Sequence, residues 1–124
     1  MPIDSLEIVQ IEVNDWPKAV KWYTDVLSLE VAMKEDDDKI AFLKFPKGEG
    51  KIALFGCDAT ATSKNRAYPC ILVTDLDGTI KSLKKKGVEF EEEGMGGADK
   101  GFRAAKLWDL ERNTLFIFEW SRPG

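Results

Sequence analysis

The chain has 124 residues, of which 44% are hydrophobic, and a formal net charge of −4. This length and apolar content are typical of one compact domain, and the acidic balance without a basic stripe argues against a nucleic-acid partner. No apolar stretch reaches the ~20 residues of a membrane-spanning helix, and no N-terminal signal segment is evident. We therefore expect a cytoplasmic protein that acts away from membranes.

Histidine is absent, and the two cysteines are Cys57 and Cys70. Without histidine the chain lacks the commonest zinc ligand and the commonest general base. The two cysteines lie too far apart for a CxxC motif, so we expect buried thiols. The composition thus predicts neither a metal nor another cofactor.

The first half begins with a strand of alternating polarity at residues 8–13. Its Val9 and Ile11 side is apolar and predicts a covering helix, so the opposite side faces away from that helix. Asn14 or Asp15 is expected to cap this helix, which should end near Leu27. Further strands are predicted at 29–34, 40–45 and 51–55, with turns at 35–38 and 46–50.

The second half repeats this order with an offset of 60 residues. Asp75 follows Asp15 by 60 positions, and Ile71 follows Ile11 by the same number. We predict repeat one at about 5–56, a linker at 57–66 and repeat two at about 67–120. The second repeat should contain a helix at 76–86, a glycine-rich loop at 93–101, and strands at 68–73, 88–92, 102–108 and 114–120.

The predicted fold class is α+β. Two βαβββ repeats should form a curled mixed sheet around a central cleft, with one helix packed on the outer face of each repeat. Alternation along the strands places the side chains of every second residue in that cleft. The residues that line the cleft by this parity are Ile8, Gln10, Glu12, Tyr68, Cys70 and Leu72.

Three segments resemble the vicinal oxygen chelate superfamily, which includes glyoxalase I, bleomycin resistance proteins and extradiol dioxygenases. They are VNDWPKAVKWYTDVLSLEV at 13–31, VTDLDGTIKSLKKKGVEF at 73–90 and GFRAAKLWDLERNTLFIFE at 101–119. The resemblance implies metal-ligand positions at Ile8, Tyr68, Phe116 and either Ala53 or Leu54. Because none of these side chains offers an imidazole or a carboxylate, the resemblance also implies that the metal site has been lost.

An apolar cleft with few polar groups is typical of a small-molecule site. We expect metal-independent binding of a small, partly apolar and possibly cationic drug or metabolite, as in bleomycin resistance proteins, by a homodimer. The alternative for the aromatic residues is a filled core, with the domain acting only by pairing with another chain. The predicted ligand-binding residues are Ile8, Gln10, Glu12, Phe42, Leu54, Tyr68, Cys70, Arg103, Trp108, Phe116 and Phe118.

Glu12 is the candidate catalytic residue. It would serve a glyoxalase-like lyase or isomerase, either metal-free with Tyr68 or with a metal held at displaced positions such as Glu12 and Glu119. Equally, it could form a salt bridge with Arg103. The loop at 93–101 could act as a lid over the cleft or as a plain turn.

Overall fold

The computed structural model describes residues 5–57 and 67–121, which fall into two units, unit 1 within residues 1–63 and unit 2 within residues 64–124. The predicted linker lies outside the described residues except for Cys57. Each unit has the element order βαβββ, which confirms the predicted α+β repeat. Unit 1 contains β1 (Ile8–Val13), α1 (Trp16–Asp25), β2 (Glu30–Glu35), β3 (Ile40–Lys44) and β4 (Lys51–Gly56). Unit 2 contains β5 (Cys70–Leu72), α2 (Leu76–Lys85), β6 (Phe90–Gly97), β7 (Phe102–Trp108) and β8 (Thr114–Trp120).

The two sheets have the same topology. Each is four-stranded, in the order β1-β4-β3-β2 in unit 1 and β5-β8-β7-β6 in unit 2. The first strand of each unit runs parallel to the last, and the other neighbours are antiparallel. The offset of 60 residues therefore corresponds to a repeated supersecondary unit.

Each helix covers one face of its own sheet. Helix α1 contacts β3 and β4, and α2 contacts β7 and β8. Ile11 and Val13 of β1 are buried, whereas Gln10 and Glu12 are exposed, as the alternation predicted. We call the covered side of each sheet its helix face and the opposite side its open face.

Corresponding aspartates begin the two helices. The Asp15 carboxylate accepts a hydrogen bond from the Lys18 amide at 3.3 Å, and Asp75 accepts one from the Gly78 amide at 3.1 Å. These contacts satisfy amides that have no partner within the helix. Of the two predicted caps, Asp15 is therefore the one used. Gly87, with φ 87°, follows the end of α2 as predicted for a left-handed cap.

Most of the glycine-rich segment forms a strand rather than the predicted loop. Residues up to Gly97 belong to β6 and pair with β7, and only residues 98–101 form a turn. The register of β6 shifts between Phe90 and Glu92 and again between Glu92 and Met95. Gly94 lies within the second shift, and Gly96, just beyond it, has φ 78°, a conformation that glycine adopts without strain. Because residues 93–97 are part of a paired strand, the segment does not form a loop that could hinge at residue 93.

No helix within the described ranges 5–57 and 67–121 has both the length and the apolar character required to cross a bilayer.

Candidate functional site

The open face of unit 1 carries four of the predicted site residues. Gln10 of β1 lies beside Ala53 of β4, which lies beside Phe42 of β3, so the three share one face. Ile8 and Glu12 lie on the same face by alternation along β1, and both are exposed. This face thus combines two polar side chains with an apolar surface.

Leu54 does not belong to that face. It pairs with Ile11 and Ala41, both buried on the helix face, and its own exposed fraction is 0%. Its carbonyl oxygen accepts a hydrogen bond from Nε1 of Trp16 at 3.1 Å. The prediction of Leu54 as a binding residue is therefore wrong, and of the two alternatives Ala53 takes the position on the open face.

The open face of unit 2 is rich in aromatic side chains, and we call it the aromatic face. Its register places Cys70 beside Phe116 and Leu72 beside Phe118, with Trp120 at the end of β8. The Tyr68 and Phe116 rings lie 5.5 Å apart between centroids, and the Phe118 and Trp120 rings are edge-to-face at 5.2 Å. The residues of this face include Tyr68, Cys70, Leu72, Glu92, Met95, Phe102, Ala104, Lys106, Trp108, Thr114, Phe116, Phe118 and Trp120.

Trp108 lies on the same face, where it pairs with Thr114. The Arg112 guanidinium carbon lies 4.3 Å from the centre of its ring, so this cation covers one side of the indole. Arg112 also pairs with Glu89 at 3.5 Å. Trp108 is therefore a supporting residue at the end of the face, with one side already occupied.

Lys106 is the residue of this face that the sequence analysis missed. It lies on β7 beside Phe116, and its Nζ is 6.0 Å from the ring centres of both Tyr68 and Phe116. Its ammonium forms an ion pair with Glu91 of β6. The hydrogen bond with Glu91 raises the pKa of Lys106, which keeps the ammonium protonated. Its even spacing with Trp108 along β7 was the signal that could have found it.

Arg103 lies on the helix face rather than in the predicted site. Its guanidinium forms two hydrogen bonds with the Asp77 carboxylate of α2, at 2.9 and 3.3 Å. It also lies 3.9 Å from Glu119, its register partner on β8. Arg103 is therefore engaged with α2 on the helix face and does not lie on the open face, where the site was expected. The alternative of a salt bridge with Glu12 stays a prediction.

Glu119 is also engaged on the helix face. Its Oε1 accepts a hydrogen bond from the Leu76 amide at the start of α2, at 2.6 Å. A carboxylate in this place satisfies a helix amide and interacts favourably with the helix dipole. Glu119 therefore holds the helix to the sheet, and it lies on the face opposite the aromatic residues of β8 rather than beside them.

The Asp77–Arg103 pair predicts a pH dependence of stability. The hydrogen bond with Arg103 lowers the pKa of Asp77. A lowered folded-state pKa stabilises the fold above the usual aspartate value, near about pH 4, and this contribution is lost as pH falls through the lower folded value. We expect the wild type to lose more stability than Asp77→Asn between pH 6 and about pH 3, measured by urea unfolding.

The control for this prediction is Asp37→Asn, which changes an exposed aspartate in the turn before β3. It should keep the acid sensitivity of the wild type. An Asp77→Asn variant with an unchanged pH profile would contradict the assignment of the pair.

The thiols differ from the expectation of burial. Cys57 is half-buried and Cys70 is exposed. The Cys70 Sγ lies 3.6 Å from the Tyr68 carbonyl oxygen, to which its S–H can donate. Burial was predicted from composition, but Cys70 lies on the face that α2 does not cover.

The donor chemistry at the positions implied by the family does not fit a divalent metal. Ile8, Ala53 and Phe116 provide hydrocarbon side chains, and Tyr68 provides a single phenol. A metal needs several deprotonated N, O or S donors. Within the described part of the chain, no group of three or more His, Cys, Asp and Glu residues is arranged to hold an ion.

A separate depression of about 420 Å³ lies between α2 and β6. Its lining combines the charged residues Asp77, Lys81, Lys84 and Glu93 with Ile80 and Gly94. Lys84 and Glu93 already pair across it at 2.6 Å. None of the predicted ligand-binding residues lines this depression.

Comparison with known proteins identifies the class to which this arrangement belongs. The family model of the glyoxalase/bleomycin resistance protein/dioxygenase superfamily matches residues 5–106. The chain therefore belongs to this superfamily, as its sequence motifs predicted.

Individual relatives span nearly the whole chain. "Uncharacterized protein YraH" of Bacillus subtilis (strain 168) is 26% identical over 123 residues, covering 90% of this chain and 94% of the relative. TnmS3, an antibiotic binding protein from Streptomyces sp. CB03234, has a TM-score of 0.82 at 15% identity. The match covers 98% of this chain and 99% of TnmS3. Lactoylglutathione lyase from Agrobacterium tumefaciens has a TM-score of 0.75 at 18% identity, with 96% of each chain covered. At 15% and 18% identity, these two likenesses show that TnmS3 and the lyase share the fold of this chain.

Proposed function

We propose that this chain binds a small, partly apolar molecule without a metal, and that the aromatic face of unit 2 is its main contact surface. The observation that carries this proposal is the exposure of large apolar side chains on that face. Tyr68, Leu72 and Trp120 are 42%, 58% and 61% exposed. Contiguous exposed apolar surface marks interaction sites, and aromatic rings bind planar guests by offset or edge-to-face contacts.

Polar groups at the border of the face support a small-molecule ligand. The Tyr68 ring, the Cys70 thiol and the Lys106 ammonium lie around Phe116. A largely apolar surface with a few polar groups gives affinity through burial and orientation through hydrogen bonds. The name of TnmS3 describes an antibiotic binding protein of the same fold, which agrees with this class of function.

The alternative is a lyase or isomerase, the class named for the Agrobacterium relative. It is the weaker proposal, because Glu119 and Arg103 are engaged with α2 on the helix face of unit 2. Glu12 stays the candidate base for this alternative, since it is exposed on the open face of unit 1. The homodimer and the cytoplasmic location also stay predictions.

The binding proposal is tested by removing one aromatic ring. Phe116→Leu keeps an apolar side chain but removes the ring that contacts Tyr68. Ring contacts contribute about 0.5–1.5 kcal/mol beyond buried area, so we expect roughly a 2- to 10-fold loss of affinity for 2-naphthylmethanol. Isothermal titration calorimetry with the full chain measures this loss.

Phe90→Leu provides the matched control. Phe90 is also half-buried and lies next to Leu107 in the register, on the helix face. The Phe90→Leu variant should bind 2-naphthylmethanol with the affinity of the wild type. If the wild type binds neither this compound nor any member of a panel of aromatic antibiotics at millimolar concentration, the proposed function is wrong.

A further inference from the structure

Lys106 is the charged group at the centre of the aromatic face. It lies on β7 between Phe116 of β8 and Glu92 of β6, with which it is paired in the register. Among the described strand residues of unit 2, it is the cationic side chain that the register places on the open face, since Arg103 points to the helix face. A ligand seated on Phe116 therefore lies near this ammonium, whose Nζ is 6.0 Å from the centre of the ring.

The charges around Lys106 restrict what it can recognise. Glu91 pairs with it directly, and the Glu92 carboxylate is close enough to interact with its charge. One ammonium beside two carboxylates leaves a local charge of −1. A ligand anion placed here would face two like charges, whose repulsion disfavours it.

The ammonium of Lys106 can nevertheless donate further hydrogen bonds. Lys106 carries three N–H groups, and the described ion pair joins it to one residue, Glu91. The Tyr68 and Phe116 rings lie on its flank at 6.0 Å and accept no conventional hydrogen bond. The side chain is 27% exposed, so it is not closed off from a ligand.

We propose that Lys106 determines ligand specificity by donating a hydrogen bond to an uncharged oxygen acceptor, such as a carbonyl, on an aromatic ligand. This inference rests on the proposed function. The raised pKa of Lys106 supports it, because a protonated ammonium donates hydrogen bonds and is neither a base nor a nucleophile. Glu91 fixes the position of the ammonium, and the neighbouring rings provide the surface for the aromatic part of the ligand.

The test compares three naphthalenes of similar size that differ in one group. 2-Acetylnaphthalene carries the carbonyl, 2-isopropenylnaphthalene replaces its oxygen with a methylene group, and 2-naphthoate carries an anion. Affinities are measured by titrating the full-length ¹⁵N-labelled protein and following amide shifts. We expect the wild type to bind the ketone about tenfold more tightly than the hydrocarbon, as for one hydrogen bond to a charged donor, and the naphthoate less tightly than the ketone.

Variants assign the difference to the ammonium. Lys106→Met keeps the apolar stem and should bring the affinities for the ketone and the hydrocarbon to the same level. An undiminished preference for the ketone in this variant would refute the role of the ammonium. Lys106→Arg keeps a cationic donor and should retain part of the preference. Lys81→Met, which changes an exposed lysine of α2, serves as the control and should behave as the wild type.

Three other results would overturn the inference, and they separate its failure from failure of the proposed function. Equal binding of the ketone and the hydrocarbon by the wild type would refute the role of Lys106 while leaving the proposed function intact. Tightest binding of 2-naphthoate would show that the site selects an anion, against the charge argument. If none of the three compounds binds, the inference fails. The proposed function fails with it only if 2-naphthylmethanol and the panel of aromatic antibiotics also do not bind.

Discussion

A Leu54→Ala variant is expected to lower the free energy of unfolding by about 2–5 kcal/mol, the range for truncating a buried leucine. Leu54 is fully buried between Ile11 and Ala41, on the face that α1 covers. Removing its side chain leaves a cavity beneath the helix, because the neighbouring strands are fixed by their hydrogen bonds. Urea unfolding followed by circular dichroism measures the change.

The matched control is Ile8→Ala on the open face of the same sheet. Ile8 is 37% exposed, so its truncation should cost much less than that of Leu54. Similar losses for the two variants would contradict the assignment of faces in unit 1. The comparison thus also checks that Leu54 belongs to the core rather than to the candidate site.

Gly96→Ala is expected to destabilise the fold by more than about 2 kcal/mol, because strain and forced displacement each contribute about 1–3 kcal/mol. Gly96 has φ 78°, a conformation that alanine adopts only with strain. An added Cβ would also overlap the backbone carbonyl oxygen of Phe102 on the neighbouring strand. Since this neighbour is backbone rather than a flexible side chain, β6 and β7 would have to separate locally.

Gly94→Ala is the control for this prediction, since Gly94 is in the same strand and a Cβ there would contact nothing within 4 Å. It should be neutral or slightly stabilising, because alanine reduces the entropy of the unfolded chain. Thermal and urea unfolding of both variants measure the difference. Equal stabilities of the two variants would contradict the bulged pairing of β6 with β7.

Much of the fold could be predicted because the sequence repeats its own pattern. The two N-cap aspartates are 60 residues apart, and the alternation of β1 correctly separated buried Ile11 from exposed Gln10. These signals are local, since a cap and a strand face depend on residues a few positions away. The helices and most strands therefore lie within a few residues of their predicted ends.

The candidate site was predicted less well because it depends on register between strands. Composition did not distinguish Ala53 from Leu54, since the hairpin before them has no fixed length by sequence, and a shift of one residue exchanges the faces. For Arg103 the alternation along β7 does indicate the face. Trp108 and Arg103 are five positions apart on one strand, so they must lie on opposite faces.

The acidic, irregular edge strand β6 affects how readily two molecules of this protein associate edge to edge. β6 ends the sheet of unit 2, and residues 91–93 are three consecutive glutamates within a bulged, irregular pairing. Glu91 and Glu93 are paired with Lys106 and Lys84, so charge repulsion between the outer edges of β6 from two molecules would be partial. The bulges would in addition disturb the alignment of the two backbones. An edge of this kind opposes the growth of ordered aggregates even though the adjoining sheet is rich in exposed aromatic groups.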